Sequence, residues 1–551
     1  MAKYIFVFGG VMSGIGKGVA TSSIAKIIQS RGYRVTAIKI DPYVNVDAGT
    51  MNPTEHGEVF VMDSGLETDQ DMGNYERFLN ITLPRENYMT TGSVYKKVIE
   101  RERNLEYNGK CVQIIPHVTN EVIDTITNAA KKNKADFVTI EVGGTTGDYE
   151  NDLFTEAARQ LRLRLGKENV LFVMIGYVPF PNIVGEMKTK PTQQAVRALN
   201  AAGVQADIII ARSENPIDER RKEKIALFCN IETEAVISAP DSESIYEIPL
   251  NFEKDHLSEI ILKKLALKPR KKNLQDWENF VKKVKNAKKE IKIGMIGKYF
   301  GTGDYVLTDA YISVIEAIKH AAYNNGLRPK IDWIDSGKLE KNEKKLSILK
   351  KYDGIIVPGG FGSRGIKGKL KTIQYARENK IPYLGLCYGM QLMIVEYARN
   401  VLGVKNANTA EIVPKGKNLV IDLMPEQKES LKNNKYGATM RLGSYLCKIK
   451  PGTIAYESYG KKEVSERHRH RYEVNPKYIA DLEKAGIIFS GKSPDGKLME
   501  IAELPKEKHP FMLGTQFHPE FTSSPLKPNP IFLKFIEAVS NYNKTKIERV
   551  G

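Results

Sequence analysis

The sequence has few cysteines and no long run of apolar residues. Only four cysteines occur in 551 residues, too few for the disulfide framework of a secreted protein, and none lie close enough together for a zinc site. No stretch reaches the roughly 18 apolar residues that span a bilayer. The N-terminal MAKYIFVFGG has one lysine and an apolar run that breaks at Gly9, unlike a signal peptide. These absences predict a soluble protein of the reducing cytoplasm.

The charge is strongly positive but not concentrated. Lysine and arginine number 83 and aspartate and glutamate 66, which gives a net charge of +17. A basic chain invites a nucleic-acid interpretation, yet here the basic residues are mixed with acidic ones along the whole length. Such a composition also fits a heat-adapted surface, and binding of several nucleotides would use part of the positive field. We therefore expect neither a nucleic-acid nor a membrane partner.

Strand and helix patterns alternate in both halves of the chain, which predicts parallel sheets covered by helices. The first series of strands is YIFVFGG, YRVTAIKID, CVQIIP, DFVTIEVGG, VLFVMIGYVP, ADIIIARS and EAVISAP, and the second is IKIGMIGKY, KIDWIDS, YDGIIVPGG and IPYLGLC. We predict an α/β fold of two doubly wound domains at 1–267 and 291–540. A charged linker at 268–290 joins them, and a tail follows at 541–551.

A glycine-rich loop, GGVMSGIGKG from Gly9 to Gly18, follows the first strand and precedes a helix. Backbone amides at such a turn bind phosphate, supported by the helix N-terminus. The standard loop ends in Lys-Ser or Lys-Thr, whose hydroxyl holds magnesium. Here Gly18 follows Lys17, so magnesium needs other oxygen ligands. Asp71, and Glu141 at the end of the strand DFVTIEVGG, are the candidates. The alternative interpretation is a structural turn with two unrelated acids.

Cys387 lies in LGLCYGMQ, at a predicted sharp turn from strand to helix, where a nucleophile is exposed to helix N-terminal amides. His518 and Glu520 follow in FHPE. In this arrangement Cys387 would attack a carboxamide, His518 would take and return the proton, and Glu520 would orient the imidazole. Amides of Gly360 and Tyr388 would stabilise the oxyanion. His117, His468 and His470 are alternative bases, and an inert buried thiol is the structural alternative.

Together these segments resemble the CTP synthase family from Tyr4 to about Ser524. The resemblance rests on KIDPYVNVDAGTM, HGEVFVMDSG, QIIPHVTNEV, GEMKTKPTQ, KIALFCN, VPGGFG, TMRLG, RHRHRYEVN and FHPEFTS. It implies an N-terminal P-loop-like amidoligase related to dethiobiotin synthetase and a C-terminal class I glutamine amidotransferase. In that family ATP phosphorylates the uracil 4-oxygen of UTP, and ammonia from glutamine displaces the phosphate to give CTP. GTP activates and CTP inhibits.

The resemblance also implies roles for individual residues. Lys17 and Lys39 serve phosphoryl transfer, and Asp71 and Glu141 bind Mg²⁺. ATP is held by Gly14, Ile15, Gly16, Lys17, Gly18, Val19, Asp71, Arg212, Pro240, Asp241 and Ser242. UTP or CTP is held by Ser13, Asp148, Tyr149, Glu150, Lys188, Thr189, Lys190, Pro191, Thr192, Gln193 and Lys224. Glutamine is held by Gly360, Tyr388, Gly389, Met390, Gln391, Glu411 and Arg471, and Arg364 belongs to a lid that responds to GTP.

Three positions differ from the commoner family pattern. Tyr388 follows the nucleophile where leucine is usual, Gln194 replaces a histidine, and Lys367 replaces a glutamate. The family further implies a homotetramer and an internal ammonia tunnel. Two other hypotheses remain at this point: a different ATP-consuming glutamine amidotransferase of similar architecture, and a nucleotide-switched regulator without activity. KTKPTQ with Lys224 argues against the first, and the intact Cys, His and Glu set argues against the second.

Overall fold

A computed structural model describes residues 1–10, 12–181, 183, 185–297, 301–302, 305–306, 308–341, 343–360, 365–424 and 440–548. The chain divides into two compact units. The first comprises Met1–Ala48 and Asp71–Val281, and the second comprises Gly49–Gln70 and Lys282–Gly551. Residues 49–70 therefore pack in the second unit although they lie early in the chain.

A seven-stranded parallel sheet forms the centre of the first unit. Its strands, in spatial order, are Tyr88–Thr90, Val35–Asp41, Phe137–Val142, Lys3–Gly9, Val170–Tyr177, Ile208–Ser213 and Val236–Pro240. The central strand carries Ile5, Phe6 and Val7, each 0% exposed. Continuous burial of successive residues, with no polar face, is typical of parallel strands covered on both sides.

Helices follow the strands of the first unit, as the sequence pattern predicts. They are Lys17–Gln29, Asp71–Leu79, Thr91–Arg103, Thr119–Lys132, Asp152–Leu165, Lys190–Ala201, Glu219–Cys229, Ile248–Lys254, Leu257–Lys264 and Gln275–Asn286. The last of these helices lies in the charged stretch. Its Trp277 and Phe280 side chains are buried, and its basic residues lie on the other faces of the helix. The charged stretch is thus partly an amphipathic helix.

One predicted strand, CVQIIP, is wrong. The structure has a short π-helical turn at Ile114–Val118, and Ile114 and Ile115 are 54% and 53% exposed. Pro116 has no N–H to donate to a ladder, which disfavours a strand at this point. The edge position of the sheet is taken by Tyr88–Thr90 instead.

The second unit contains a nine-stranded mixed sheet. Five parallel strands are Leu327–Asp335, Lys289–Gly297, Gly354–Val357, Tyr383–Leu386 and Met512–Thr515, in that spatial order. Four antiparallel strands extend it: Met499–Glu503, Ile488–Lys492, Arg441–Ile449 and Glu463–His470. The predicted α/β class is therefore confirmed in both units, and the second sheet also has an antiparallel part.

The remaining regular elements of the second unit surround that sheet. Its helices are Pro53–His56, Ile312–Asn324, Ser336–Lys341, Ile366–Glu378, Tyr388–Asn400, Ile454–Tyr459, Pro476–Ala485 and Pro530–Glu548. Smaller pairings join Val59–Val61 with Glu67–Asp69, Gly301–Thr302 with Tyr305–Val306, and Leu419–Leu423 with Asn408–Thr409 and Tyr472–Val474. Within the described ranges, no helix has the length and apolar character that crossing a bilayer requires.

Each parallel sheet ends at chemically active residues. In the first unit the Gly-Lys loop follows the strand Lys3–Gly9, and Glu141 lies near the end of Phe137–Val142. In the second unit Cys387 follows Tyr383–Leu386, and His518 comes shortly after Met512–Thr515. Ligands of open parallel sheets bind beyond the carboxyl ends of the strands. The fold thus gives each unit a candidate site at this edge.

Candidate active sites

The Gly-Lys loop of the first unit is shaped by left-handed glycines. Gly14 and Gly16 have φ of 72° and 94°, a region that side chains rarely adopt. The helix Lys17–Gln29 begins immediately afterwards, and the Lys17 Nζ donates to the Gly144 carbonyl at 2.6 Å. Burial lowers the pKa of Lys17, although Glu141 and Asp71 oppose this shift. The loop therefore presents a constrained, buried ammonium beside the carboxylates.

Lys39 lies between the two predicted metal ligands. Its Nζ donates to Asp71 Oδ2 at 2.6 Å and to Glu141 Oε1 at 2.7 Å. Burial raises the pKa of Glu141, and the nearby lysines lower it. The Tyr75 hydroxyl donates to the other Glu141 oxygen, and burial followed by the Glu141 charge raises the pKa of Tyr75 well above its ordinary value. The structure thus brings Lys39, Asp71 and Glu141 together in a buried cluster.

The Asp71 carboxylate explains why glycine, rather than serine or threonine, occupies position 18. A β-carbon at position 18 would overlap the Asp71 carboxylate, with Asp71 Cγ at 2.5 Å. A serine or threonine would therefore occupy the space that Asp71 fills. The space that a side-chain hydroxyl fills in the standard loop is here occupied by the Asp71 carboxylate, from the helix Asp71–Leu79. The position of the Asp71 carboxylate therefore requires glycine at position 18.

For the CTP formation that the sequence resemblance implies, we expect Gly18→Ser to lower the rate about tenfold or more with either glutamine or ammonium as nitrogen source. The new side chain would displace the Asp71 carboxylate, and misplacement of a catalytic group by about 1 Å can cost up to about 10²-fold. Steady-state kinetics with both nitrogen sources measures this, with glutamine hydrolysis by the same variant as the internal control. A normal kcat and a normal KM for ATP would show that the contact is unimportant.

Two of the predicted pyrimidine-nucleotide segments lie at or beside the helix Lys190–Ala201. Gly147, in the loop before Asp148, lies against Ala198 of the helix Lys190–Ala201. Lys188 pairs with Glu186, and this contact together with Arg221 and Lys224 lowers the pKa of Glu186. Lys188, in the KTK segment, and Lys224 therefore both lie close enough to Glu186 to affect its charge. Several ammonium groups grouped in this way suit a triphosphate.

Other predicted nucleotide residues lie in fixed positions near that region. Thr192 Oγ1 donates to the Tyr177 carbonyl at 2.8 Å, and Gln193 Nε2 donates to Thr189 Oγ1 at 3.0 Å. Arg212 pairs with Asp241 at 2.5 Å, at the ends of neighbouring strands. Thr192 and Gln193 thus have local structural contacts, and Arg212 and Asp241 are held together where the adenine was predicted.

Asp71 and Glu141 fit a magnesium ion as two of its oxygen ligands. Both carboxylates lie within 2.7 Å of the same Lys39 Nζ, so they converge on one small volume. Mg²⁺ is commonly held by one or two carboxylates while phosphates and water complete its shell. Within the described ranges, no group of three or more His, Cys, Asp and Glu side chains converges as a metal site. The geometry suits an ion that arrives with nucleotide phosphates.

In the second unit, Cys387 occupies a strained turn. Its φ and ψ are 50° and −98°, and the helix Tyr388–Asn400 starts at the next residue. Its N–H donates to the Thr515 carbonyl at 2.6 Å, and its Sγ lies 3.6 Å from Gln516 Nε2. A β-carbon on Gly389 would overlap the Val357 carbonyl, so glycine is required there. The predicted nucleophile turn is present, with the strain that such sites commonly store.

His518 and Glu520 form the expected pair beside this cysteine. The two side chains are joined by a contact of 2.7 Å between His518 Nδ1 and Glu520 Oε1. Burial by itself lowers the pKa of His518, but the Glu520 carboxylate and Cys387 raise it to about 10. A β-carbon on Gly359 would come within 2.9 Å of His518 Cε1 and 3.8 Å of Cys387 Cβ. The absent side chain of Gly359 thus leaves room for the two groups to approach.

We expect Glu520→Gln to slow glutamine hydrolysis by roughly 10²–10⁴-fold, as loss of the orienting acid does in related triads. Without the carboxylate the pKa of His518 falls, so the imidazolium is lost at lower pH. The rate of Cys387 alkylation by iodoacetamide, measured against pH, reports this change. The stability that the pair contributes is complete below about pH 6.5, the ordinary histidine pKa, and is lost as pH rises through about 10. An unchanged alkylation profile would contradict the assignment.

The alternative bases occupy other environments. His117 belongs to the first unit, where Tyr107 packs against its ring. His468 and His470 are 0% and 2% exposed and contact each other at 2.9 Å. Burial, followed by neighbouring positive groups, lowers the pKa of both well below the ordinary value. Both rings are thus buried in surroundings that disfavour their protonated forms.

Three of the predicted glutamine residues, Gln391, Glu411 and Arg471, lie near Tyr472. Burial raises the pKa of Tyr472, with a further increase from Glu411 and a decrease from Arg471, so both charges lie near its ring. Gln391 Nε2 donates to the Tyr472 carbonyl at 3.0 Å. A carboxylate and a guanidinium at one pocket match the amino and carboxylate groups of a free amino acid.

The two candidate oxyanion donors lie beside the nucleophile. Tyr388 is the first residue of its helix, so its N–H lies at the helix N-terminus, directly after Cys387. Gly360, with φ of 152°, follows Gly359 in the turn after the strand Gly354–Val357. Gly360 and Cys387 line one cavity of about 70 Å³. Arg364 lies outside the described residues.

Sequence reasoning missed several residues at these sites. Gln516 beside Cys387 and Tyr75 beside Glu141 carry no motif of their own. Gln516 lies two residues before His518, in the bend that follows the strand Met512–Thr515. Pro53, Glu58 and Val59 line the cavity at Cys387, although they lie more than 300 residues away in the sequence. No local signal indicates that contact.

Comparison with known proteins matches both units. The family model for the CTP synthase N-terminus matches residues 3–267, and the model for class-I glutamine amidotransferases matches residues 306–538. A CTP synthase of Carboxydothermus hydrogenoformans is 52% identical over 99% of this chain and 100% of its own length. A CTP synthase of Pyrococcus abyssi is 52% identical over 99% of both chains. The solved glutaminase domain of a Trypanosoma brucei CTPS with bound acivicin is 37% identical, covers 46% of this chain and 94% of its own, and has a TM-score of 0.42.

Proposed function

The chain belongs to the CTP synthase family, and from this premise we propose how its two sites divide the conversion of UTP to CTP. The relatives match over nearly the whole chain and both family models are present, so the resemblance found in the sequence is confirmed. The enzyme is a carbon–nitrogen ligase that aminates UTP with ATP and takes its nitrogen from glutamine. The observation that carries the division of labour is the presence of two buried catalytic clusters, one in each unit.

We assign ammonia release to Cys387, His518 and Glu520. The Cys387 sulfur attacks the side-chain carbonyl carbon of glutamine, and a tetrahedral oxyanion forms next to the amides of Gly360 and Tyr388. His518, protonated up to about pH 10, donates its proton to the departing nitrogen. The C–N bond breaks and ammonia leaves a thioester on Cys387. Water then cleaves the thioester, His518 takes a proton from that water, and glutamate is released.

We assign amination of UTP to the cluster in the first unit. The γ-phosphoryl group of ATP passes to the uracil 4-oxygen, and ammonia then attacks the adjacent carbon and displaces phosphate. Lys39 and Lys17 hold positive charge where the transferred group becomes most negative. The buried site excludes water, which makes these charges more effective than they would be in solution. Mg²⁺, when bound, would be held by Asp71 and Glu141 and would neutralise phosphate charge.

We further propose the nucleotide contacts that the family resemblance implies. Lys188, Lys190 and Lys224 bind the UTP triphosphate, and Arg212 with Asp241 lies at the adenine. Support comes from the shared neighbourhood of Lys188 and Lys224 around Glu186. CTP would compete at the same phosphate contacts as a feedback inhibitor. GTP would activate glutamine hydrolysis through the lid that contains Arg364.

Assembly and location are also proposals. We expect a homotetramer, as the family resemblance implies. Tyr149, at 83% exposure, and Ile114 and Ile115 form exposed apolar surface on the first unit, which is consistent with burial in an assembly. We expect the enzyme to act in the cytoplasm, because all four cysteines are free thiols and ATP, UTP and glutamine are cytoplasmic metabolites.

We propose that ammonia leaves Cys387 through the cavity of about 70 Å³ that Pro53, Glu58 and Val59 line. These residues belong to the segment 49–70, which ends one residue before Asp71. Neutral ammonia is the nucleophile, and an enclosed route keeps it from being protonated in water. The proposal concerns only the exit from the glutaminase site.

A direct assay tests the proposed division. Purified full-length protein with UTP, ATP and Mg²⁺ is supplied with glutamine or with ammonium chloride, and CTP is measured by absorbance and chromatography. We expect CTP from both nitrogen sources and phosphate in equal amount. Glutamate should form only with glutamine. If CTP formed from glutamine but never from ammonium, the assignment of two separable sites would fail.

A further inference from the structure

A β-hairpin from Val59 to Asp69, here called the hairpin 59–69, is an unexplained part of the second unit. Its strands Val59–Val61 and Glu67–Asp69 pair antiparallel, with Phe60 opposite Thr68. Phe60 and Val61 are 0% exposed, and Glu67 is 1% exposed. Glu58, just before it, accepts from the Ser313 N–H at 3.1 Å. The hairpin is therefore buried and anchored at its base, and the chemistry assigned above uses none of the residues from Phe60 to Asp69.

The hairpin reaches the catalytic imidazole through a stack of rings. The His518 ring lies parallel to the Phe521 ring, with centroids 5.1 Å apart and planes at 21°. Phe60 packs edge-on against the Phe521 ring, with centroids 5.1 Å apart and planes at 69°. Both phenylalanines are buried, at 5% and 0% exposure. The orientation of His518 thus depends on Phe521, and the position of Phe521 depends on Phe60.

A second connection runs through the strand Glu463–His470. Arg467 donates from its guanidinium to the Val61 carbonyl at 3.1 Å, while its own carbonyl accepts from the His518 N–H at 2.8 Å. Arg469 donates from Nε to Glu67 at 2.8 Å, while its own carbonyl lies 3.8 Å from the Cys387 sulfur. Each arginine contacts the hairpin with its side chain and a catalytic residue with its backbone. Alternation along a strand places both arginines on the same side.

We propose that the hairpin 59–69 positions the Cys387–His518 pair, with Phe60, Arg467 and Arg469 as positioning residues. The inference rests on the proposed roles of Cys387 and His518. The hairpin fixes the ring plane and the backbone of His518 and the backbone beside Cys387. The hairpin ends at Asp69, two residues before Asp71, so the segment that orients the glutaminase pair continues directly into a nucleotide-site residue. Glu411 and Arg471, the charged residues predicted to hold glutamine, lie near Tyr472, so we expect the hairpin to affect the rate of the chemical step more than glutamine binding.

The decisive variant is Phe60→Leu, which removes the ring that fixes Phe521 but keeps an apolar side chain. We expect kcat for glutamine hydrolysis to fall about tenfold, because small misplacement of a catalytic group costs up to about 10²-fold. KM for glutamine and ammonium-dependent CTP formation should change less than about twofold. The pH profile of Cys387 alkylation by iodoacetamide should shift, because a tilted His518 no longer has the same contact with Glu520 and Cys387. A purely structural role would not move that profile.

Phe535→Leu is the matched control. Phe535 is also 0% exposed in the second unit and packs against Phe511 in the core. The Phe535→Leu variant loses the same atoms as Phe60→Leu and should leave kcat and the pH profile of Cys387 alkylation unchanged. If Phe60→Leu behaved like this control, or lost ammonium-dependent synthesis to the same degree as hydrolysis, the inference would be overturned.

Glu67→Gln keeps the proposal testable if Phe60→Leu does not fold. It preserves side-chain volume but removes the charge that holds Arg469, and the same fall in kcat with an unchanged KM is expected. Wild-type kcat in a folded Glu67→Gln variant would contradict the role of the hairpin. Cys387→Ala is assayed alongside. If it still hydrolyses glutamine, the proposed triad fails, whereas an inactive Cys387→Ala with a normal Phe60→Leu refutes only the role of the hairpin.

Discussion

Cys387→Ala should lower glutamine-dependent CTP formation by at least about a thousandfold, because removal of the nucleophile eliminates the covalent pathway. Alanine cannot form the thioester from which ammonia is released. Ammonium-dependent CTP formation should stay within about twofold of wild type, since the cluster of Lys39, Asp71 and Glu141 is unaltered. Initial rates of CTP formation with glutamine and with ammonium chloride measure both effects in one preparation.

Cys447→Ala is the matched control for this variant. Cys447 is a free thiol at 0% exposure in the second unit, and burial raises its pKa strongly. It is thus an inert thiol whose removal should leave both activities intact. If Cys387→Ala abolished ammonium-dependent synthesis as well in a folded protein, the two reactions would not be separable as proposed. If it retained hydrolysis, another nucleophile would have to be found.

Lys39→Met should have the opposite effect to Cys387→Ala: it should lower CTP synthesis and spare glutamine hydrolysis. It keeps the apolar stem but removes the ammonium group between Asp71 and Glu141. Loss of a preorganised charge at a reacting phosphoryl group costs roughly 10²–10³-fold in kcat. CTP formation should fall by this factor with glutamine and with ammonium, while glutamine hydrolysis persists. Phosphate release and CTP formation are measured together, so that ATP cleavage without amination is detected.

Lys26→Met serves as the control for Lys39→Met. Lys26 is another largely buried lysine of the first unit, whose pKa burial lowers to about 8, and it lies over the Trp277 ring. The same substitution there removes a charge from the same unit but away from the Asp71 and Glu141 carboxylates. Thermal unfolding of both variants separates loss of stability from loss of catalysis. A Lys39→Met enzyme with a normal rate of CTP formation would refute the phosphoryl-transfer role.

Much of both sites could be predicted because the chemistry is local in the sequence. The Gly-Lys loop and the LGLCYG turn each lie between a strand and a helix, and this order alone predicts phosphate binding and a nucleophile at the turn. The expected exposure of that nucleophile is wrong, because Cys387 is buried at 5% exposure. His518 and Glu520 are two residues apart, and their contact of 2.7 Å forms at the start of a 3-10 turn at Pro519–Thr522. The strand CVQIIP was predicted incorrectly because apolar composition does not distinguish a sheet edge from a surface turn, and Pro116 decides against the strand.

Long-range contacts could not be predicted from those patterns. Glu411 and Arg471 both act on the pKa of Tyr472 although 60 positions separate them in the chain. Gln516 has no signature that distinguishes it from other buried amides. The segment 49–70 belongs by position to the first half of the sequence but packs in the second unit. Its apolar run VFV requires burial but contains no information about which core receives it.

The sequence by itself determined the reaction, because the residue types at each strand end restrict the chemistry: a lysine loop with carboxylates for phosphates, and a cysteine with histidine and glutamate for a carboxamide. Only the tertiary structure decided how these residues are held. It placed Asp71 in the space of the missing hydroxyl at position 18, set Cys387 at φ of 50°, and packed Phe60 behind Phe521. The physical reason is that catalytic identity depends on the functional groups a residue carries, whereas orientation depends on packing between residues that are distant in the sequence.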